Sequence, residues 1–170
     1  ATVTKIPYEL CYGCDNLTTV VLHDKITSIG QQAFYNCTYL TNIELPDSIT
    51  EIGKGAFQGC YKGFTSITLP SNITVVEDWA FMDTALTTVV IPSSVKNIKQ
   101  QAFQGCNNLS TIYFGGTEED WQKITIDDYN APLQNATIYF YVENIQDLPI
   151  EGGNYWHYVD GEIKVWHIHD

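Results

Sequence analysis

The chain is expected to fold as a β-rich (α+β) solenoid: a right-handed coil with one parallel β-sheet face, short turns and helical pieces, and a C-terminal β-hairpin. Three observations predict it. A long apolar motif recurs about every 23 residues, each copy ends in an alternating run closed by proline, and an Asp-Gly pair near the C-terminus separates two alternating aromatic segments. Self-similarity at a period of 20–50 residues marks units that bury their apolar face only against their neighbours.

The motif is clearest in Ile26, Ile29, Gly30, Ala33, Phe34, Cys37, Leu40, Ile43, Leu45 and Pro46. It returns at Ile49, Ile52, Gly53, Ala56, Phe57, Cys60, Phe64, Ile67, Leu69 and Pro70, then from Ile73 to Pro92 and from Val95 to Phe114. A degraded copy comes first, with Val3 and Ile6 at the two Ile positions and Cys11 at the Phe position. Starts at Val3, Ile26, Ile49, Ile73 and Val95 lie 23, 23, 24 and 22 residues apart. The extra residue falls near Gly63 and the missing one near Ala85, where a surface turn absorbs a length change. The expected organisation is five repeats in 1–117 (about 3–25, 26–48, 49–72, 73–94 and 95–117), a cap in 118–140, then a linker and hairpin in 141–170.

Leu40-Thr-Asn-Ile43-Glu-Leu45 ends in strict alternation, a strand signal, and stacked repeats bring such strands side by side about 4.8 Å apart. Pro46, Pro70 and Pro92 lack the N–H of a ladder and end the pairing. Ile26-Thr-Ser-Ile29 and its equivalents begin the other wall, rich in β-branched residues. Gly30 and Gly53 suit a tight corner, although Glu77 and Lys99 at the same place show that positive φ is not obligatory. Ala33 then permits close approach while Phe34 fills the coil.

Cys14, Cys37, Cys60 and Cys106 share one repeat position, with Thr84 in the third full repeat. All four are expected inside and reduced, because in-register side chains rarely offer a disulfide dihedral. The Cys11-x-x-Cys14 spacing superficially matches a redox or metal pair, against which stands the assignment of both residues to interior positions.

Thr117-Glu-Glu-Asp120 predicts a helix start, with Thr117 as N-cap and Trp121 laid over the last coil. Asn135-Ala-Thr-Ile-Tyr-Phe140 predicts one more strand, whereas the N-terminal end carries no cap and is expected to be continued or shielded. Asp160-Gly161 between alternating runs predicts a type I′ hairpin with Trp156 opposite Val165 and Tyr158 opposite Ile163.

Composition narrows the function classes. Apolar residues make up 44% of the chain and charged ones 16%, with a formal net charge of −12 from eight Lys, no Arg and twenty acids. That balance excludes phosphate-directed nucleic-acid binding and disfavours an anionic membrane surface. No stretch reaches the ~18 apolar residues of a membrane span, and no signal-peptide pattern opens the chain. Five sequons, at Asn16, Asn36, Asn72, Asn108 and Asn135, are by-products of the repeat's composition.

The pattern Ile-Gly-x-x-Ala-Phe-x-x-Cys-x-x-Leu-x-x-Ile-x-Leu-Pro resembles the BspA-like class of leucine-rich repeat over about residues 3–117, and 113–140 resembles the terminal segment of such proteins from gut bacteria. The resemblance implies a secreted or surface-attached protein, often with further modules, whose role is adhesion to host or bacterial proteins. It transfers no catalytic residue. Cys11 for Phe, Thr84 for Cys and Phe114-Gly115 for Leu-Pro are departures that touch packing and regularity.

The leading functional expectation is a non-enzymatic extracellular binding module, with no cofactor, an unidentified protein partner, and a monomeric or weakly self-associating state. Its candidate surface is the outward stripe of the strands: Asn42, Glu44, Ser66, Thr68, Thr88, Val90, Thr111, Tyr113, Thr137 and Tyr139, continued by Thr19 and Val21. Alternatives are a structural spacer presenting other modules, or a carbohydrate platform of Trp156, Tyr158 and Trp166, against which stands the expectation that the hairpin packs on the solenoid or a neighbouring module. Glu118, Glu119, Asp127 and Asp128 lack the Asp-x-Asp-x-Asp-Gly spacing of a calcium loop, and His167 with His169 would make only an adventitious metal site. No nucleophile elbow, phosphate loop or zinc motif is present.

Overall fold

A computed structural model describes residues 2–148 and 153–166; His167 and His169 lie outside the described residues. The repeats coil into a solenoid with few helices. In chain order its strands are β1 (Lys5–Ile6), β2 (Thr19–Val20), β3 (Ser28–Ile29), β4 (Asn42–Ile43), β5 (Glu51–Ile52), β6 (Ser66–Thr68), β7 (Val75–Val76) and β8 (Thr88–Ile91). There follow β9 (Asn97–Ile98), β10 (Thr111–Phe114), helix α1 (Glu118–Gln122), β11 (Thr125–Ile126), helix α2 (Ala131–Asn135), β12 (Thr137–Tyr141), β13 (Tyr155–Val159) and β14 (Glu162–Trp166).

Odd-numbered strands up to β11 form one wall of the coil and even-numbered strands up to β12 the other, all pairing in parallel. Neither ladder is continuous. The first wall divides into β1-β3-β5 and β7-β9-β11, and the second into β2-β4 and a six-stranded sheet β6-β8-β10-β12-β13-β14. The single face expected through Ile43, Ile67, Val89 and Ile112 is therefore interrupted between Ile43 and Ile67. The interruption coincides with the extra residue before Phe64. Gly63 is squeezed against the preceding repeat, where a Cβ would lie 2.5 Å from the Leu40 carbonyl oxygen.

A third wall, built from turns, runs through that junction without a gap. Here alternate N–H groups donate to the following repeat: Phe34 to the Ala56 carbonyl at 2.8 Å, Phe57 to Ala80 at 2.9 Å, and Phe81 to Ala102 at 2.9 Å. Two residues per repeat take left-handed backbone to make it possible. They are Gln32 (φ 55°) and Asn36 (φ 54°) in one repeat, and Trp79 (φ 59°) and Asp83 (φ 54°) in another. Glycine takes both places in the second full repeat, at Gly55 and Gly59. At Gly30 and Gly53 the requirement is different: no positive φ, but a Cβ would sit 2.7 Å and 2.5 Å from the backbone of the preceding repeat.

The core is a set of side-chain ladders. Phe34, Phe57, Phe81 and Phe103 stack nearly parallel, with successive centroids 5.4, 5.6 and 5.5 Å apart. Burial of each ring stabilises by roughly 1.5–3 kcal/mol. Beside it runs a thiol ladder. Cys37 Sγ donates to the Cys11 carbonyl at 3.0 Å, Cys60 to Phe34 at 3.4 Å, and Cys106 to Phe81 at 3.0 Å. The Cys60-accepting Phe34 carbonyl also takes the Cys37 N–H at 3.2 Å, so the sulfur occupies its second lone pair. Thr84 departs from the pattern: its hydroxyl donates within its own repeat to the Phe81 carbonyl at 2.9 Å, the acceptor that Cys106 also uses.

All five cysteines are free thiols, with Cys37, Cys60 and Cys106 fully buried. Burial pushes Cys37 up to about 11 and Cys60 up to about 12. Cys14, expected inside, is exposed, and Cys11 is half-buried. The cause is position: the first coil has no described neighbour on its outer side, and Ile6, Leu17, Val20 and Leu22 around it are also only partly covered.

At the other end, Thr117 and Asp120 form a complete capping box that starts α1, and these contacts hold the Asp120 carboxyl below its usual value. Trp121 meets the edge of Phe114 at 5.2 Å but stays half-buried. The last rung is closed by Asn130, which takes the alanine position of a further coil and is itself buried. Its Oδ1 accepts the Phe103 N–H at 3.0 Å, and its Nδ2 donates to the carbonyls of Lys99 (2.8 Å) and Asp127 (2.9 Å).

Candidate functional surface

The outward stripe of the second wall divides into an open part and a covered part. Asn42 and Glu44 around β4, and Ser66 and Thr68 on β6, are exposed, as are Thr19 and Val21 before them. Thr88, Thr111, Tyr113 and Tyr139 are half-buried, while Thr137 is exposed. Val90, counted from the sequence among the accessible positions, is buried at 7% exposure. The hairpin covers that end of the stripe.

β13 and β14 pair antiparallel with Trp156 opposite Val165 and Tyr158 opposite Ile163, the register the Asp160-Gly161 turn predicts. Asp160 (φ 51°) and Gly161 (φ 81°) both take the left-handed backbone of that turn. The hairpin is also part of the solenoid sheet: β13 adds in parallel to the end of β12, with Phe140 opposite Tyr155 and Tyr141 opposite Trp156. Trp156 is thereby driven into the protein at 1% exposure, with its Nε1–H on the Phe114 carbonyl at 2.9 Å. Its ring lies 5.5 Å from Tyr113 and 5.2 Å from Tyr141. Trp166 stacks instead on His157 at 3.9 Å. The aromatic platform of Trp156, Tyr158 and Trp166 therefore does not form as one face.

Hydroxyl use separates structural threonines from free ones. Thr27, Thr50, Thr41 and Thr87 each place Oγ1 on a carbonyl of the preceding repeat, at 3.1, 3.3, 3.3 and 3.1 Å. They are part of the scaffold. The side chains of Asn42, Ser66, Thr68, Thr88 and Thr137 make no such bond among the described residues, leaving their donors and acceptors to solvent or a partner. This distinction was invisible in the sequence, where every repeat simply looks rich in threonine.

Nothing in the stripe has the chemistry of a catalytic centre. Glu44 is its one titratable carboxylate, and among the described residues no three His, Cys, Asp or Glu side chains converge as metal ligands. Glu118 and Glu119 stand in the first turn of α1, and Asp127 faces Lys99 at 3.9 Å. No helix among the described residues is long and apolar enough to cross a membrane.

The solenoid is similar to known bacterial structures. A leucine-rich cell surface protein of Faecalibacterium prausnitzii shares 36% identity at a TM-score of 0.70, over 74% of this chain and 33% of that one. A leucine-rich repeat protein of T. pallidum shares 37% at 0.62, over 65% of this chain and 52% of that one. One from Eubacterium ventriosum is alike in fold at 24% identity and a TM-score of 0.57, over 69% of this chain and 30% of that one. The chain thus spans between about a third and a half of the length of these proteins. No curated protein matches it. Residues 4–130 match the BspA type leucine-rich repeat region in six copies, so the repeat extends into the coil closed by Asn130, and the chain belongs to that family.

Proposed function

We propose that this chain is an extracellular, non-enzymatic binding module that holds a protein of a host or bacterial surface against the open part of the β4–β6 face. The observation that carries the reading is the row of exposed polar side chains, Asn42, Ser66 and Thr68, that the fold itself leaves unused beside Glu44 and Val21. Polar side chains interspersed with apolar atoms, in proportions close to those of the rest of a protein's surface, are the usual composition of a non-obligate protein interface. The likeness to a leucine-rich cell surface protein supports placement outside the cell.

The test immobilises the chain, captures partners from solubilised epithelial and bacterial surface proteins, and measures the purified binder against variants. Asn42→Arg with Ser66→Arg should weaken binding at least about tenfold, while Thr50→Arg on the first wall leaves it intact. Absence of a saturable binder, or a binder indifferent to the stripe, overturns the reading.

A further inference from the structure

A groove of about 390 Å³ runs between the hairpin and the corners at the strand ends. One side consists of Asp47, Ser71 and Ser93, which occupy the same position in three successive repeats and are therefore spaced at about 4.8 Å per rung. The other side is aromatic, formed by Tyr141, Trp156 and Tyr158. Tyr158 is half exposed at 48%, and its ring is braced edge-on by Trp156 at 5.0 Å and 77°.

The polar side is only partly used by the protein. Asp47 Oδ1 accepts the Ser71 N–H at 2.9 Å, and its second oxygen has no partner among the described residues. The Ser71 and Ser93 hydroxyls, unlike those of Ser48 and Ser94 on neighbouring carbonyls, are bonded to nothing among the described residues. Burial pushes the Tyr158 hydroxyl up, with Tyr141 and Asp47 adding to it, so that hydroxyl stays a neutral donor.

We infer that this groove is a binding site for a neutral saccharide of two or three residues. Its three elements match the chemistry of a pyranose chain: an aromatic ring for the C–H face, a carboxylate oxygen for paired hydroxyls, and serine hydroxyls at a rung spacing close to the length of one sugar residue. The volume falls within the range of small-ligand sites. Asp47 and the net charge of −12 select against sialylated or sulfated sugars. The site differs from a flat tryptophan platform, because Trp156 is buried and acts only as the brace for Tyr158.

The experiment screens the whole chain by saturation-transfer NMR against maltotriose, cellotriose, xylotriose, diacetylchitobiose and sialyllactose, then titrates the best binder calorimetrically. A neutral sugar binding with a Kd of about 1 mM or tighter, with transfer from tyrosine ring protons, is the expected result. Tyr158→Ala should weaken it about tenfold or more at unchanged melting temperature. Ser93→Trp, which fills the groove from an exposed corner, should abolish it even if Tyr158→Ala proves unstable. The inference is overturned if none of the neutral sugars binds, if sialyllactose binds best, or if both variants bind as the parent does.

Discussion

Trp156 Nε1 donates to the carbonyl of Phe114 at 2.9 Å across 42 residues of chain, tying the hairpin to the last regular repeat. The bond fills an acceptor at the place where the repeat's Leu-Pro ending has become Phe114-Gly115. Trp156→Phe keeps most of the buried ring but strands that carbonyl, and should lower stability by about 1–3 kcal/mol. Trp156→Ala should lose about 3–5 kcal/mol. Chemical denaturation of both variants checks this. An unchanged stability in Trp156→Phe would mean that the hydrogen bond contributes nothing.

The thiol ladder makes reactivity follow position. Under native conditions an alkylating reagent should modify Cys14 first and Cys11 more slowly, while Cys37, Cys60 and Cys106 react only after unfolding. Mass spectrometry of the labelled peptides reads the order directly. Rapid native labelling of Cys60 would show that the coil opens far more readily than its packing implies.

The same thiols set an alkaline limit. Cys60 is pushed up to about 12 in the fold by burial, against an ordinary value of 9.0 when unfolded. The unfolded chain thus releases its proton first as pH rises. The contribution is fully present below about pH 9 and is lost as pH climbs toward 12. Cys60→Ser should flatten the fall in stability over that window, measured by denaturation at stepped pH.

Asn130 closes the solenoid by imitating the backbone of an absent rung. Asn130→Ala would orphan the Phe103 N–H and remove a donor from the Lys99 and Asp127 carbonyls, of which Lys99 keeps the Ala102 N–H, and about 2–4 kcal/mol of destabilisation follows. Trp121→Ala, at a half-buried ring against Phe114, should lose less. The order of the two melting temperatures decides which residue is the principal cap.

Gly53 and Gly13 separate two uses of glycine. Gly53→Ala forces a methyl to 2.5 Å from the Gln31 nitrogen and should destabilise by about 1–3 kcal/mol. Gly13→Ala has open space around it and a φ of 69°, so it should lose only about 1–2 kcal/mol of backbone preference. Thermal melts of the pair distinguish collision from conformational strain.

Much of this was legible in the sequence because each repeat must satisfy the same neighbours. The Phe34–Phe103 stack, the interior cysteines after the first coil, the parallel register and the hairpin pairing all follow from spacing. What escaped involved contacts between unlike parts. Nothing in the alternation of Tyr155–Val159 says that Trp156 will turn inward and bury Val90. Asn130 looks like an ordinary loop asparagine until its side chain is seen in place of a peptide group. Nor do Gln32, Trp79 or Gln101 announce left-handed backbone, because the turn wall imposes it through hydrogen bonds to the next repeat. The outward positions of the stripe were legible in the alternation, apart from buried Val90, but its division into open and covered parts depended on where the hairpin docks.

The turn wall has a direction. Every inter-repeat bond along it, from Glu9 to Gln31 through Gln101 to Asp128, points its donor toward the C-terminus. The peptide dipoles of successive coils therefore add instead of cancelling, as they do along a helix. Carbonyl oxygens gather at one edge, where those of Tyr8, Leu10 and Tyr12 face no donor among the described residues. Two such coils cannot meet start to start along this wall, since acceptor would oppose acceptor. Interior duplication or loss of one repeat, by contrast, always rejoins a donor edge to an acceptor edge. The wall makes length freely variable in the middle of the array while keeping its two ends chemically distinct.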